Sequence, residues 1–170
     1  DLAWINSPSN PTGRVHSENE LQAALDWSQK TGAVLASDEC YLSFPDSKQG
    51  SSVLALTAGR NTNVLAVHSL SKRSNLAGYR GSFIAGDSLL ISRLLEIRKH
   101  MGMMVPLPIQ KAVATALSDE LHVKEQAERY KNRRKVLRRE LEARGFTIEY
   151  SEAGLYIWCT RGEEDWSTVQ

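Results

Sequence analysis

Ala33-Val34-Leu35-Ala36-Ser37-Asp38-Glu39-Cys40-Tyr41 and, further along, Asn63-Val64-Leu65-Ala66-Val67-His68-Ser69-Leu70-Ser71-Lys72 are built alike. In each, an apolar run of strand length stops abruptly at a cluster of polar side chains, as a buried strand does where it meets its loop. Upstream, Leu2 to Ile5 reads as another short buried strand, followed by the turn-rich loop Asn6-Ser7-Pro8-Ser9-Asn10-Pro11-Thr12-Gly13. Ser17 then opens a helix with a capping box, since Glu20 lies three residues on. Leu21, Ala24 and Leu25 give that helix a buried face and Gly32 ends it. Strand, helix, strand and strand again predict an α/β unit with a largely parallel sheet and flanking helices. Ligands of such sheets sit beyond the carboxyl ends of the strands, which is where Asn10, Asp38, Tyr41, Ser69 and Lys72 fall.

Toward the C-terminus, a loop containing Gly78 and Gly81 leads into a strand from Ser82 to Ala85. Asp87 or Ser88 then caps a helix whose apolar face includes Leu90, Leu94 and Ile97. Pro106 and Pro108 interrupt the helical stretch, a second helix runs from about Ile109 to Leu117, and a long charged one from about Leu121 to Arg144, before Gly145. Phe146 to Tyr150 and Leu155 to Thr160 read as strands of a smaller α+β unit, in which the alternation of Tyr156 and Trp158 is explained by packing. The expected division is therefore 1–120 for the main unit, 121–145 for a connecting helix and 146–170 for the start of the second. Both ends run through apolar stretches, Leu2 to Ile5 and the approach to Gln170, which predicts a piece of a longer protein.

An apolar content of 41% supports one real core, and 21 basic against 20 acidic residues leave a net charge of +1. That balance gives no electrostatic reason to expect nucleic acid or a membrane surface. Arg129 to Arg139 holds seven basic residues in eleven positions, read as a solvated helix face. Cys40 and Cys159 are read as reduced core residues, and a Cys40–His68 nucleophile pair as less apt than simple packing. His16, His68, His100 and His122 have no paired-ligand spacing, so no metal is expected; His68 is read as lining the site. With no leader and no apolar run near the roughly eighteen residues of a membrane span, a cytoplasmic protein is the default expectation.

Asn10-Pro11-Thr12-Gly13, Ser37-Asp38-Glu39-Cys40-Tyr41, Ser69-Leu70-Ser71-Lys72 and Gly78-Tyr79-Arg80-Gly81 occur in an order and spacing that resemble the fold-type I pyridoxal phosphate enzymes of the class I/II aminotransferases. The resemblance covers essentially the whole sequence. It implies pyridoxal 5'-phosphate as cofactor and Lys72 as the amine that holds it as a Schiff base and then shuttles a proton. It places Asp38 beside the ring nitrogen, where a carboxylate keeps that nitrogen protonated, and Tyr41 and Asn10 at the ring oxygen. Ser69 and Arg80 are implied as phosphate ligands, with Ser71 a weaker candidate in the same turn. Amino acid and 2-oxo acid substrates and a homodimer are implied as well, the substrate-carboxylate arginine lying beyond Gln170.

Within the family, Ser71 to Arg80 and Glu152-Ala153-Gly154-Leu155-Tyr156 look most like N-succinyldiaminopimelate aminotransferases of the lysine pathway, Arg73 and Asn75 being departures from the common pattern. A pyridoxal phosphate carbon–sulfur β-lyase, and a non-catalytic fragment or effector domain, are the alternatives.

Overall fold

The computed structural model describes residues 1–169; Gln170, the last residue of the expected second unit, lies outside them. A four-stranded sheet organises the first half: β1 (Leu2–Asn6), β2 (Val34–Asp38), β3 (Val64–Ser69) and β4 (Ser82–Gly86), adjacent in that order. β1, β2 and β3 are mutually parallel, whereas β4 runs antiparallel to β3. Register puts Asn6 opposite Asp38, Asp38 opposite Val67, and Ser69 opposite Ser82, so three strand exits and one strand entry share a single rim.

α1 (Glu18–Thr31) crosses between β1 and β2. Its ends are set locally: Ser17 Oγ accepts from the Glu20 amide, the Glu20 carboxylate accepts from the Ser17 amide, and Gly32 closes the helix in the left-handed region at φ 73°. Leu25 of α1 packs on Leu35, Val64 and Ala66 of the sheet and on Val53 of a 3-10 turn (Val53–Leu56), forming the core. Each such fully buried leucine or valine contributes about 1.5–3 kcal/mol over leaving it in water.

After β3 come α2 (Leu70–Arg73), then β4, α3 (Ser88–His100), α4 (Leu107–Ser118) and the 22-residue α5 (Leu121–Glu142). Asp87 is the cap of α3, its Oδ1 accepting from the amides of Leu89 and Leu90. The apolar face expected on α3 is not covered by this chain, for Leu94 and Ile97 remain 37% and 53% exposed. Along α5 the described side chains are exposed or half-buried except Val123 and Arg134. A buried arginine corrects the expectation that the whole Arg129–Arg139 run is a solvated face.

The strands expected over 146–150 and 155–160 shrink to β5 (Thr147–Ile148) and β6 (Cys159–Thr160), an antiparallel pair followed by α6 (Asp165–Val169). The reason is that Tyr150 and Ser151 take positive φ and the next amides bond elsewhere. Ser151 N–H donates to the Thr12 carbonyl, and Glu152 and Ala153 N–H both donate to the Gly13 carbonyl. Gly13 itself sits at φ 68°, where an added Cβ would stand 2.7 Å from the Ala153 oxygen and 2.9 Å from Ser151 Cα. Gly13→Ala is therefore expected to cost at least about 2 kcal/mol in urea denaturation, combining left-handed strain with a backbone clash.

Candidate active site

Asp38 leaves the end of β2 between two parallel neighbours: its carbonyl accepts from the Ser7 amide, and the next amide, Glu39 N–H, donates to Val67. Its Oδ1 accepts from the Cys40 amide at 3.1 Å, and Oδ2 has no hydrogen-bond partner among the described residues. Three residues on, the Tyr41 side chain is buried with its hydroxyl at a junction. Asn10 Nδ2 donates to it at 3.4 Å and Tyr156 Oη lies 3.3 Å away. Burial, then the hydrogen bond with Tyr156, pushes the Tyr41 phenol well above its ordinary pKa, so it stays protonated. Asn10 is carried by a loop with cis Ser7–Pro8 and Asn10–Pro11 bonds, and its amide donates to Asn6 Oδ1 at 2.7 Å.

Across the rim, Ser69 caps α2. Its Oγ accepts from the Ser71 amide at 3.1 Å and bonds the Ser71 hydroxyl at 2.9 Å, so two hydroxyls stand together one turn from Lys72. Lys72 is half-buried, and among the described residues no carboxylate pairs with its ammonium. The loop beyond α2 returns to β4, with Leu70 N–H donating to the Gly81 carbonyl. Arg80 is exposed at φ 54° and its Nη1 donates to Ala77, inside its own turn; no hydrogen bond joins it to the paired serines.

The turn that carries Lys72 is fastened from behind. Arg73 Nη1 donates to the Ala116 carbonyl at 3.1 Å and its Nη2 pairs with Glu120, so this guanidinium is spent on the α4–α5 junction. His122 links Asp119 Oδ2 to Ser74 Oγ, 2.9 Å on either side. That order matches the hydrogen bonds of a serine hydrolase, but the amides of Ser74, Asn75 and Leu76 all point back at the carbonyls of Leu70 and Lys72. The turn thus offers them to no oxyanion, and the chain of side chains acts as a strut.

Beside the rim, Glu39 is 2% exposed; its Oε1 accepts from the Val53 amide at 2.8 Å. Its Oε2 lies 3.3 Å from His68 Nε2 without an aligned hydrogen bond, and His68 stacks on Phe83. These groups open on a cavity of about 390 Å3 that also meets Cys40, Ser69 and Arg73. Burial and the adjacent Asp38 carboxylate push the Cys40 thiol up to about 12, far from a nucleophile. Glu39 and Tyr156 escape the sequence reading. The sequence signals Glu39 only by its place between Asp38 and Tyr41, and Tyr156 by its place in the Gly154-Leu155-Tyr156 stretch. Among the described residues no three metal-binding side chains cluster, and no helix is long and apolar enough to cross a membrane.

A largely parallel sheet that brings an unpaired carboxylate, a phenol, paired serines and a lysine to one rim defines the class of the fold-type I pyridoxal phosphate enzymes. The chain belongs to the aminotransferase class I and II family, which matches residues 2–167, and this family uses pyridoxal 5'-phosphate. It is 52% identical over 171 residues to the 4-dedimethylamino-4-oxo-anhydrotetracycline transaminase OxyQ of Streptomyces rimosus, covering 99% of this chain and 48% of that protein. It is 30% identical over 159 residues to LL-diaminopimelate aminotransferase 2 of Trichormus variabilis, covering 92% of this chain and 40% of that one. The crystal structure of the aminotransferase AspB from Helicobacter pylori superposes with a TM-score of 0.84 at 34% identity, over 93% of this chain and 42% of that chain. The chain thus spans about half the length of the curated relatives it matches, or less.

Proposed function

We propose that the protein transfers an amino group between an amino acid and a 2-oxo acid with pyridoxal 5'-phosphate. The observation that carries this is the convergence of Asp38, Tyr41, Asn10, Ser69, Ser71 and Lys72 on one sheet rim. The donor set suits the cofactor: Asp38 Oδ2 is open to a protonated ring nitrogen, and the Tyr41–Asn10 pair to a ring oxygen. Ser69 and Ser71 suit a phosphate, and Arg80 is assigned to it as the cationic ligand from its place in the Gly78-Tyr79-Arg80-Gly81 motif. When bound, the cofactor supplies a protonated pyridine ring that takes up the electron pair left when a substrate α-C–H bond breaks. Lys72 Nζ is the amine that would hold the cofactor and, as a free base beside the substrate α-carbon, would move its proton. In this reading, residues 1–120 are part of the cofactor-binding unit, 121–145 the connecting helix and 146–170 the start of the small domain. The parent protein is a homodimer in the cytoplasm, where free Cys40 and Cys159 stay reduced.

For the substrate, the Ser71–Arg80 and Glu152–Tyr156 stretches support N-succinyl-LL-2,6-diaminopimelate with 2-oxoglutarate and glutamate, in lysine biosynthesis. The similarity to OxyQ favours a second reading, an oxo group on a polycyclic tetracycline-type acceptor. Mixing the protein and pyridoxal phosphate with glutamate, then with the oxo form of each candidate, the 2-oxo acid derived from N-succinyl-LL-2,6-diaminopimelate or the tetracycline-type ketone, tests both. Loss of the visible band with release of one 2-oxo acid per site is expected, and whichever partner restores the band is the substrate. With a β-thioether amino acid in place of glutamate, continuous release of ammonia, thiol and keto acid without any acceptor would overturn transamination in favour of β-elimination.

A further inference from the structure

Tyr156 is 39% exposed, yet its hydroxyl reaches into the site, 3.3 Å from Tyr41 Oη, with the two rings edge to face at 5.9 Å. It is delivered there by the Ser151–Gly154 turn, which is anchored from several sides. Gly154 N–H donates to Phe44, Ala153 bridges to Pro45, and Arg134 Nη1 donates to the Gly154 carbonyl.

A phenol oxygen accepts up to two hydrogen bonds and donates one. The Asn10 amide nitrogen can only donate, so it occupies one acceptor position on Tyr41. Were Tyr41 to give its proton to Tyr156, it would keep an empty acceptor position in a buried setting and have nothing to donate to a ligand. With Tyr156 as donor, both acceptor positions on Tyr41 are filled and its O–H is free to face the rim. Tyr156, being partly exposed, meets its remaining needs from water.

We propose that Tyr156 is a positioning residue that donates to Tyr41 and thereby aims Tyr41's single proton at the cofactor's ring oxygen. This rests on the transaminase reading and adds to it a link from the turn beyond α5 to the cofactor's electronics. The proton on the lysine–cofactor linkage is held by negative charge on the ring oxygen, and a donor at that oxygen weakens the hold. Donation by Tyr156 polarises Tyr41 and makes it the stronger donor.

The test is a visible pH titration of the cofactor-loaded protein as wild type, Tyr156→Phe, Tyr41→Phe and the double variant. Phenylalanine keeps the edge-to-face packing and removes only the hydroxyl. Tyr156→Phe is expected to raise the midpoint by about 0.4–1 pH unit, the worth of one hydrogen bond. Tyr41→Phe should raise it further, and the double variant should match Tyr41→Phe alone. An unchanged or lowered midpoint, or a shift that persists in the Tyr41→Phe background, overturns the proposal. A second readout needs no cofactor: in 13Cζ-tyrosine spectra, the resonance lost in Tyr41→Phe should move in Tyr156→Phe, and its standing still overturns the proposal too. A wild-type protein that forms no Lys72-dependent band counts against the transaminase reading instead, and the tyrosine resonances then decide the Tyr156–Tyr41 bond by themselves.

Discussion

Lys72→Ala is expected to abolish the visible absorbance that develops with pyridoxal 5'-phosphate and to slow any amino-donor half-reaction by more than about 10²-fold. The fold should survive the change. Among the described residues no carboxylate depends on the Lys72 ammonium, and α2 is closed by backbone bonds from Ser74 and capped by Ser69. Alanine is as good a helix former as lysine, so the stability change should stay within about 0.5 kcal/mol. Absorbance and urea denaturation on the same samples separate the two effects. A band of undiminished intensity in a folded Lys72→Ala protein would sink the assignment of the anchor.

Arg134→Met should act the other way, lowering stability by about 2–4 kcal/mol, through the loss of hydrogen bonds from a buried guanidinium and of its pairing with half-buried Asp46. Arg134 is 4% exposed; Nη1 and Nη2 each donate at 2.5 Å, to the carbonyls of Gly154 and Ser151, and Nη2 stands 3.2 Å from Asp46. Burial pulls the guanidinium below its ordinary pKa and Asp46 pulls it back. Methionine fills much of the space but leaves the Asp46 carboxylate and the Gly154 carbonyl without their donor, and the Ser151 carbonyl with Arg138 Nη2 at 3.2 Å. Arg134→Lys should rescue only part of the loss, because one ammonium cannot serve three acceptors in fork geometry. Arg133→Met, at an exposed neighbouring position, is the control; equal losses in the two variants would show that helix composition, and not the buried contact, is responsible.

What the sequence reveals of this molecule is what is decided locally. Ser17, Glu20 and Gly32 mark the ends of α1 because a helix's terminal amides and carbonyls must be satisfied by neighbours a few residues away. Asp38 and Lys72 are legible because an apolar run long enough to be buried must end where polar groups meet the rim. Features that depend on distant partners are hidden. Tyr156 meets Tyr41 across 115 positions, and nothing in its alternation with Trp158 distinguishes a site residue from a packed one. Arg134 looks like its six basic neighbours until the 151–154 turn is laid against it. The strands of the second unit are overestimated because their β-prone residues are real, but the amides of Ser151 to Ala153 are claimed by Thr12 and Gly13. Arg80 is recognisable from its flanking glycines, although its guanidinium rests in its own turn.

The docking of the 151–153 turn on the Asn10–Gly13 loop also fixes a timetable. Val15 N–H bonds the Glu152 carboxylate across 137 positions, so the loop that carries Asn10 is synthesised long before the residues that hold it. At roughly 5–20 residues per second, the ribosome leaves that loop unpartnered for about 7–30 s. During this interval β1 and α1 can already pair, while the proline-rich turn between them stays accessible to proteases and chaperones. Fixing the Asn10 loop thus awaits the arrival of a turn from far downstream, and a ribosome stalled before residue 151 would display the four described strands with one of their rim loops still loose.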